Sequence, residues 1–175
     1  MSTMYETHVQ SPLGALHLVA SEDALLGVYL PGHKGAPSIE ARELGSLPVL
    51  VAAKAQLEAY FAGDRDHFDL PLDMRGSPFQ RLVWKALADI PFGDTRSYAD
   101  LARLLERPLA ARAVGAANAR NPISIIVPCH RVIAGNGALT GYAGGIEAKR
   151  WLLAHERRRG VSTARSREIA CASGA

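Results

Sequence analysis

A cysteine and a histidine stand side by side at Cys129-His130, followed by Arg131 and preceded by Pro128, between the branched apolar runs Ile125-Ile126-Val127 and Val132-Ile133. The flanks read as buried, so the polar centre is carried into the fold. A free thiol ionises near ~8.5, so little of it is thiolate at neutral pH, and useful nucleophilicity needs a base or a cation beside it. His130 is the adjacent base. If the stretch is a strand, neighbouring side chains point to opposite faces, which leaves direct contact and a bridging water as two readings. A carboxylate is needed to orient the imidazole. Glu156 is the candidate, since an acid at the end of the apolar run Trp151-Leu152-Leu153-Ala154-His155 is unusual; the alternative is a solvated glutamate at a helix end.

Other chemistries fit less well. The chain has only two cysteines, Cys129 and Cys171, the second in a polar C-terminal stretch, so a disulfide framework is not expected. C-x-x-C and H-x-x-x-H spacings are absent, and with them the expectation of a metal. The glycine-rich stretch Thr140-Gly141-Tyr142-Ala143-Gly144-Gly145 lacks the Lys and Ser/Thr of a phosphate-binding loop. No cofactor is implied. No apolar run approaches the ~18 residues of a membrane span. No basic region followed by an apolar stretch opens the chain, and a reducing cytoplasm is the expected compartment.

The elements that must position these residues divide at about residue 75. Residues 1–75 hold five Lys and Arg against ten Asp and Glu, whereas 76–175 hold fifteen against seven. The basic half contains Cys129, which makes a polyanion a candidate partner. In the acidic half, residues 5–9, 15–20 and 24–30 read as an antiparallel meander, 49–62 as a helix stopped by Gly63, and 67–70 as a last strand. Nothing in residues 1–70 reads as catalytic. In the basic half, Ser77-Pro78 reads as a cap and first turn of a helix to residue 90, with Phe79, Leu82, Val83, Ala86, Leu87 and Ile90 on one side. Ser97 caps a helix over 98–105 with Leu101, Leu104 and Leu105 as its apolar stripe, and a second helix covers 109–119. This pair resembles a helix-turn-helix. A final helix spans 147–156 and ends at Arg157-Arg158-Arg159-Gly160; residues 161–175 read as a flexible tail.

The second helix of the pair is nearly bare: Ala110, Ala111, Arg112, Ala113, Val114, Gly115, Ala116, Ala117, Asn118. Helices that read base edges in the major groove carry long polar side chains. Small residues with one long cation suit either tight helix packing or a helix laid in the minor groove with Arg112 inserted.

Pro128-Cys129-His130-Arg131 resembles the active-site motif of the O6-alkylguanine-DNA alkyltransferases. The likeness extends, in the family's order and spacing, to Ser97-Tyr98, Ala111-Arg112-Ala113-Val114-Gly115, Asn121-Pro122, the whole of 125–133, Gly141-Tyr142 and 151–156, so that residues 76–156 are covered closely. It implies an α/β (α+β) protein: a ribonuclease-H-like domain over 1–75 and a mostly helical DNA-binding and active-site domain over 76–160. It implies repair of duplex DNA by flipping O6-alkylguanine, and also O4-methylthymine, out of the stack and moving the alkyl group irreversibly to the protein's own cysteine, once per molecule, by a monomer that could bind DNA cooperatively. Cys129 would be the acceptor, His130 the base acting through water, Glu156 its orienting acid, and Asn121 the brace of the turn. Tyr98 would donate a proton to the leaving guanine and help rotate the nucleotide. Arg112 would fill the gap in the stack, with Ala110, Ala111, Ala113 and Gly115 against DNA. The carbonyls of Cys129 and Val132 would accept from the exocyclic amine, and Tyr142, Ala143 and Gly144 would close over the base. Ala143 stands where some members have serine, which bears on substrate preference. With no cysteine before Cys129, the zinc some members carry is not expected. A DNA-binding module without chemistry is one rival, opposed by Cys129. A thiol hydrolase is another, and it leaves the bare helix and Arg112 unexplained.

Overall fold

The computed structural model describes the backbone of residues 3–172 and the side chains of residues 3–159. The chain begins with three strands, β1 (Tyr5–Ser11), β2 (Gly14–Ala20) and β3 (Leu25–Tyr29), paired antiparallel in register Val9 with Leu16 and Leu18 with Val28. Alternation puts Val9, Leu16, Leu18 and Val28 on a fully buried face. Helix α1 (Pro48–Ala62) covers that face with Leu50, Ala53, Leu57 and Tyr60, and Gly63 closes it in the left-handed conformation at φ 82°. The sheet order is β3-β2-β1-β4, where β4 is the two-residue strand Arg42–Glu43, parallel to β1. Residues 67–70, expected as the last strand, are not one. The place beside β1 is taken by β4, and the returning chain touches the opposite edge only through a bridge between Leu72 and Leu25.

The edge of β3 matters most for the site. A sheet edge carries N–H and C=O groups that must find partners. Those of Leu25 are met by Pro71 and Asp73, and those of Val28 by Pro122 (2.9 Å) and Ser124 (3.2 Å). The N-terminal sheet thus holds directly the segment that leads into Cys129.

The second half packs α2 (Pro78–Ala88) and α3 (Tyr98–Leu104) against α4 (Ala111–Ala119). Ser77 and Ser97 each form a reciprocal capping box, with Gln80 and Asp100 respectively. Trp84 is core, its indole Nε1 donating to the Ala117 carbonyl at 2.8 Å. Leu82 and Leu104, expected on buried stripes, are exposed. The short helices bury only the residues that face α4, and neighbours three or four positions away suffice for that. Residues 109 and 110 lie in the turn before α4, and Leu109 is wholly exposed. A two-stranded parallel pair, β5 (Arg96–Ser97) with β6 (Val132–Ile133), ties the start of α3 to the end of the Cys-His motif.

Helix α5 runs from Ile146 to Ala172, so Arg157-Arg158-Arg159-Gly160 does not end it. One interior glycine costs only about 1 kcal/mol against alanine, and no proline follows to break the helix. The side chain of Cys171 and the side-chain part of the 161–175 tail lie outside the described residues.

Candidate active site

The Cys-His motif is not a strand. Cys129–Arg131 form one turn of 3-10 helix, and only Val132–Ile133 are extended. Asn121 imposes this shape. Its Nδ2 donates to the Val127 carbonyl at 2.8 Å and its Oδ1 accepts from the Ile123 N–H at 3.0 Å. Ile125 is thereby held at φ 73°, a left-handed conformation that costs a branched residue about 1–3 kcal/mol. Asn121 itself is buried, and these hydrogen bonds hold the turn in the way the family resemblance implied.

Cys129, His130, Arg131 and Glu156 come together in the interior. His130 Nε2 donates to Glu156 Oε1 at 2.7 Å, because a carboxylate can only accept. Arg131 donates to the same carboxylate through Nε to Oε2 (2.8 Å) and Nη2 to Oε1 (2.9 Å), and through Nη1 to the Ile90 carbonyl. Glu156 is therefore no solvated helix-end residue. The other imidazole nitrogen, Nδ1, is buried and has no protein partner among the described residues.

The electrostatics follow from this packing. Burial pushes the Cys129 thiol up, against the pull of Asn121 and the Lys149 ammonium. Burial also lowers the His130 imidazole; Glu156 opposes that, and the charges of Arg131 and Lys149 reinforce it. For Glu156, burial alone would raise the carboxyl, but His130 and Arg131 outweigh it and hold the group well below the usual carboxylate range. Both His130 and Glu156 bind protons more readily when unfolded, so stability rises with pH and is lost as the pH falls. The His130 part is complete above about 6.5 and is lost below it, and the Glu156 part is complete above about 4.3 and lost below that. The urea midpoint should therefore fall on going from about pH 7 to about pH 5. A flat midpoint would mean that His130 binds its proton as readily in the folded protein as in the unfolded chain.

Lys149 was not legible in the sequence. It is fully buried, and its Nζ donates to the carbonyls of Val132 (2.6 Å) and Thr140 (3.0 Å). The Cys129 carbonyl already accepts from Val132 N–H and, at 3.4 Å, from Asn118 Nδ2. Of the two carbonyls expected to meet a base, Val132 keeps the freer lone pair.

A cleft of about 940 Å³ reaches Asn121 and Tyr142, with no residue of the Cys129–Arg131 turn among those that line it. One wall carries Tyr98, Gly115, Asn121, Thr140, Tyr142 and Ala143; the other is N-terminal, with Tyr29, His33, Lys34 and Ile39. Tyr98 and Thr140, on the same wall, share a hydroxyl hydrogen bond of 3.2 Å. The buried Tyr142 hydroxyl has no hydrogen-bond partner among the described residues, though Cys129 and Ser124 are near enough to affect its ionisation. Ala143 is anchored by its carbonyl to the Lys34 N–H at 2.8 Å. Gly144 is packed so closely that a Cβ there would meet Leu30 at 3.0 Å and Tyr142 at 3.1 Å. Residues 1–70, which read as chemically silent, thus supply one side of the cleft.

On α4, Ala113 and Arg112 are exposed, Ala110, Ala111 and Gly115 half-buried, and Val114, Ala117 and Asn118 form the packed side. Gly115 approaches the Tyr98 ring, which a Cβ would touch at 3.6 Å. Arg112 lies on the surface. Among the described residues there is no group of three or more His, Cys, Asp or Glu that could hold a metal ion, and no helix long and apolar enough to cross a membrane.

Two family profiles cover nearly all of the chain: "6-O-methylguanine DNA methyltransferase, ribonuclease-like domain" over residues 4–74 and "6-O-methylguanine DNA methyltransferase, DNA binding domain" over 78–158. A methylated-DNA–protein-cysteine methyltransferase of Mycolicibacterium paratuberculosis is 49% identical over 86% of this chain and 90% of its own length. The constitutive one of Bacillus subtilis is 47% identical over 87% and 95%. The crystal structure of Mycobacterium tuberculosis OGT in complex with DNA superposes with a TM-score of 0.83 at 46% identity, covering 89% of this chain and 94% of that one.

Proposed function

The chain belongs to the 6-O-methylguanine DNA methyltransferase family, and on that premise we propose how its residues divide the work. It binds DNA and repairs it by moving an alkyl group from the methylated DNA to a protein cysteine. Cys129 is the acceptor. The observation that carries this is the buried Cys129-His130-Glu156 cluster, with His130 Nε2 committed to the carboxylate and Nδ1 left without a protein partner. Nδ1 is then the basic nitrogen, and a water relays the thiol proton to it.

The substrate is O6-alkylguanine in duplex DNA, and O4-methylthymine by the same transfer. Helices α3 and α4 act as a helix-turn-helix whose bare face sits in the minor groove. The lesion flips out at a cost of a few kcal/mol, offset by contacts in the cleft and by the weak pairing of a damaged base. Arg112 fills the vacated stack. The base enters between Tyr98 and the 142–144 loop, and its exocyclic amine donates to the Val132 carbonyl. Sγ then bonds to the alkyl carbon as the carbon–O6 bond breaks, and the electron pair stays on the guanine. The ring takes a proton from Tyr98, and the proton that the thiol gave to His130 passes through solvent to the tyrosinate, so that guanine leaves with one proton and both side chains end neutral. A thioether is not readily cleaved, so each molecule acts once. A monomer acting in the cytoplasm, with no cofactor, suffices for this chemistry.

The test is to incubate the protein with duplex DNA carrying labelled O6-methylguanine and weigh it. One methyl per protein, on the peptide containing Cys129, and no further uptake after one equivalent is the expected result. Protein that binds the DNA and stays unmodified would sink the assignment.

A further inference from the structure

The carboxylate of the catalytic cluster is gripped from the N-terminal half of the chain. Tyr60, in the last turn of α1, is fully buried, and its hydroxyl donates to Glu156 Oε1 at 2.8 Å across 96 residues of sequence. The same oxygen accepts from His130 Nε2 and Arg131 Nη2. A second contact fixes the pair: His155 Nε2 lies 2.8 Å from the Tyr60 carbonyl, and its ring meets that of Tyr60 edge-on at 5.2 Å. The Tyr60 ring is also packed by Phe61, Phe68 and Phe92. Phenylalanine would fill that volume equally well, so packing accounts for the ring and leaves the hydroxyl to be explained.

We propose that Tyr60 is a positioning residue for alkyl transfer: its hydroxyl neutralises part of the Glu156 charge, so that the carboxylate orients His130 without fixing a proton on it. This rests on the reading of His130 as the base. A base must be neutral to act, and an anion beside an imidazole favours the charged ring. The groups facing the pair are Arg131 and Cys129 from the 3-10 turn, Lys149 and His155 from α5, Tyr142 from the cleft loop and Tyr60 from α1. Burial first, and then the charges of Arg131 and Lys149, disfavour the charged ring. Tyr60 does so by donating to the anion itself. Its own proton stays in place, because burial, and then Glu156, raise the phenol well above its ordinary value. Outer hydrogen-bond partners that orient an imidazole are commonly worth as much to function as the residues they support.

The experiment measures single-turnover alkylation of the whole protein by free O6-benzylguanine across pH, alongside NMR titration of His130. Tyr60→Phe should move the acidic limb of the rate profile, and the His130 titration with it, upward by roughly one to two pH units at most, the scale of one lost hydrogen bond to a charged group. Site-specific 3-fluorotyrosine at position 60, a stronger donor, should move both downward. Coincident limbs for all three proteins, with only a lower melting temperature for Tyr60→Phe, would overturn the proposal and leave Tyr60 a packing residue. If Tyr60→Phe does not fold, a fluorotyrosine limb that stays put or moves upward overturns it equally. A wild-type profile without an acidic limb removes the base role of His130, and that of Tyr60 with it. Wild-type protein that gains no benzyl group overturns the transfer reading itself.

Discussion

Glu156→Gln should damage the fold as severely as the reaction. The carboxylate receives Arg131 twice, His130 once and Tyr60 once, all in the interior. An amide at that position turns one acceptor into a donor facing Arg131 or His130, and it leaves the Arg131 guanidinium buried without an anion. Breaking a buried ion pair from one side costs about 3–5 kcal/mol, a large share of the ~5–15 kcal/mol that holds a typical domain. Urea unfolding at neutral pH should show that loss. The alkylation rate, measured well below the variant's melting temperature, should fall roughly 10²–10⁴-fold, the usual contribution of a positioned base. A variant that reacts slowly yet unfolds at the wild-type midpoint would show that Arg131 does not depend on Glu156, contrary to the geometry.

Arg112→Ala should separate duplex repair from chemistry. Arg112 is exposed on α4, without a hydrogen bond or ion pair to the described residues, and its neighbours Ala113 and Ala116 are small enough to let the helix backbone approach DNA. If its guanidinium occupies the gap left by a flipped nucleotide, its removal exposes the flipping cost of a few kcal/mol. Reaction with O6-methylguanine in duplex DNA should then slow about 10–100-fold, while reaction with free O6-benzylguanine, which needs no flipping, should proceed at the wild-type rate. Equal losses on the two substrates would refute the stacking role.

Local features were readable in the sequence because local chemistry fixes them. Ser77 and Ser97 sit three residues before a side chain that can reach back, and both cap as expected. Gly63 ends α1 because it accepts a left-handed conformation there. The brace role of Asn121 follows from the family resemblance and not from local sequence; its hydrogen bond to Val127, six residues on, supplies the physical reason. The 3-10 turn at Cys129–Arg131 was misread because its branched apolar flanks carry a strand signal, whereas the hydrogen bonds of Asn121 decide the backbone. Lys149 and Tyr60 were invisible for a different reason. A lysine or tyrosine on an amphipathic helix looks alike whether it meets solvent or a buried carbonyl, and the partner that decides is distant in the chain. Residues 67–70 lost their place to the two-residue strand at Arg42–Glu43, and so short a pairing gives no periodicity to read.

The long sequence span of the Glu156 cluster has a consequence for how the protein is born. A ribosome delivers Tyr60 and Cys129 well before Glu156, which lies 27 residues beyond the cysteine. Until Glu156 emerges, the nascent chain has no anion to align His130, and its thiol has no oriented base to take its proton. The reactive state is assembled only when α5 docks on the turn of α1 that waits for it. A reagent that can be spent only once is thus kept inert while it is being made.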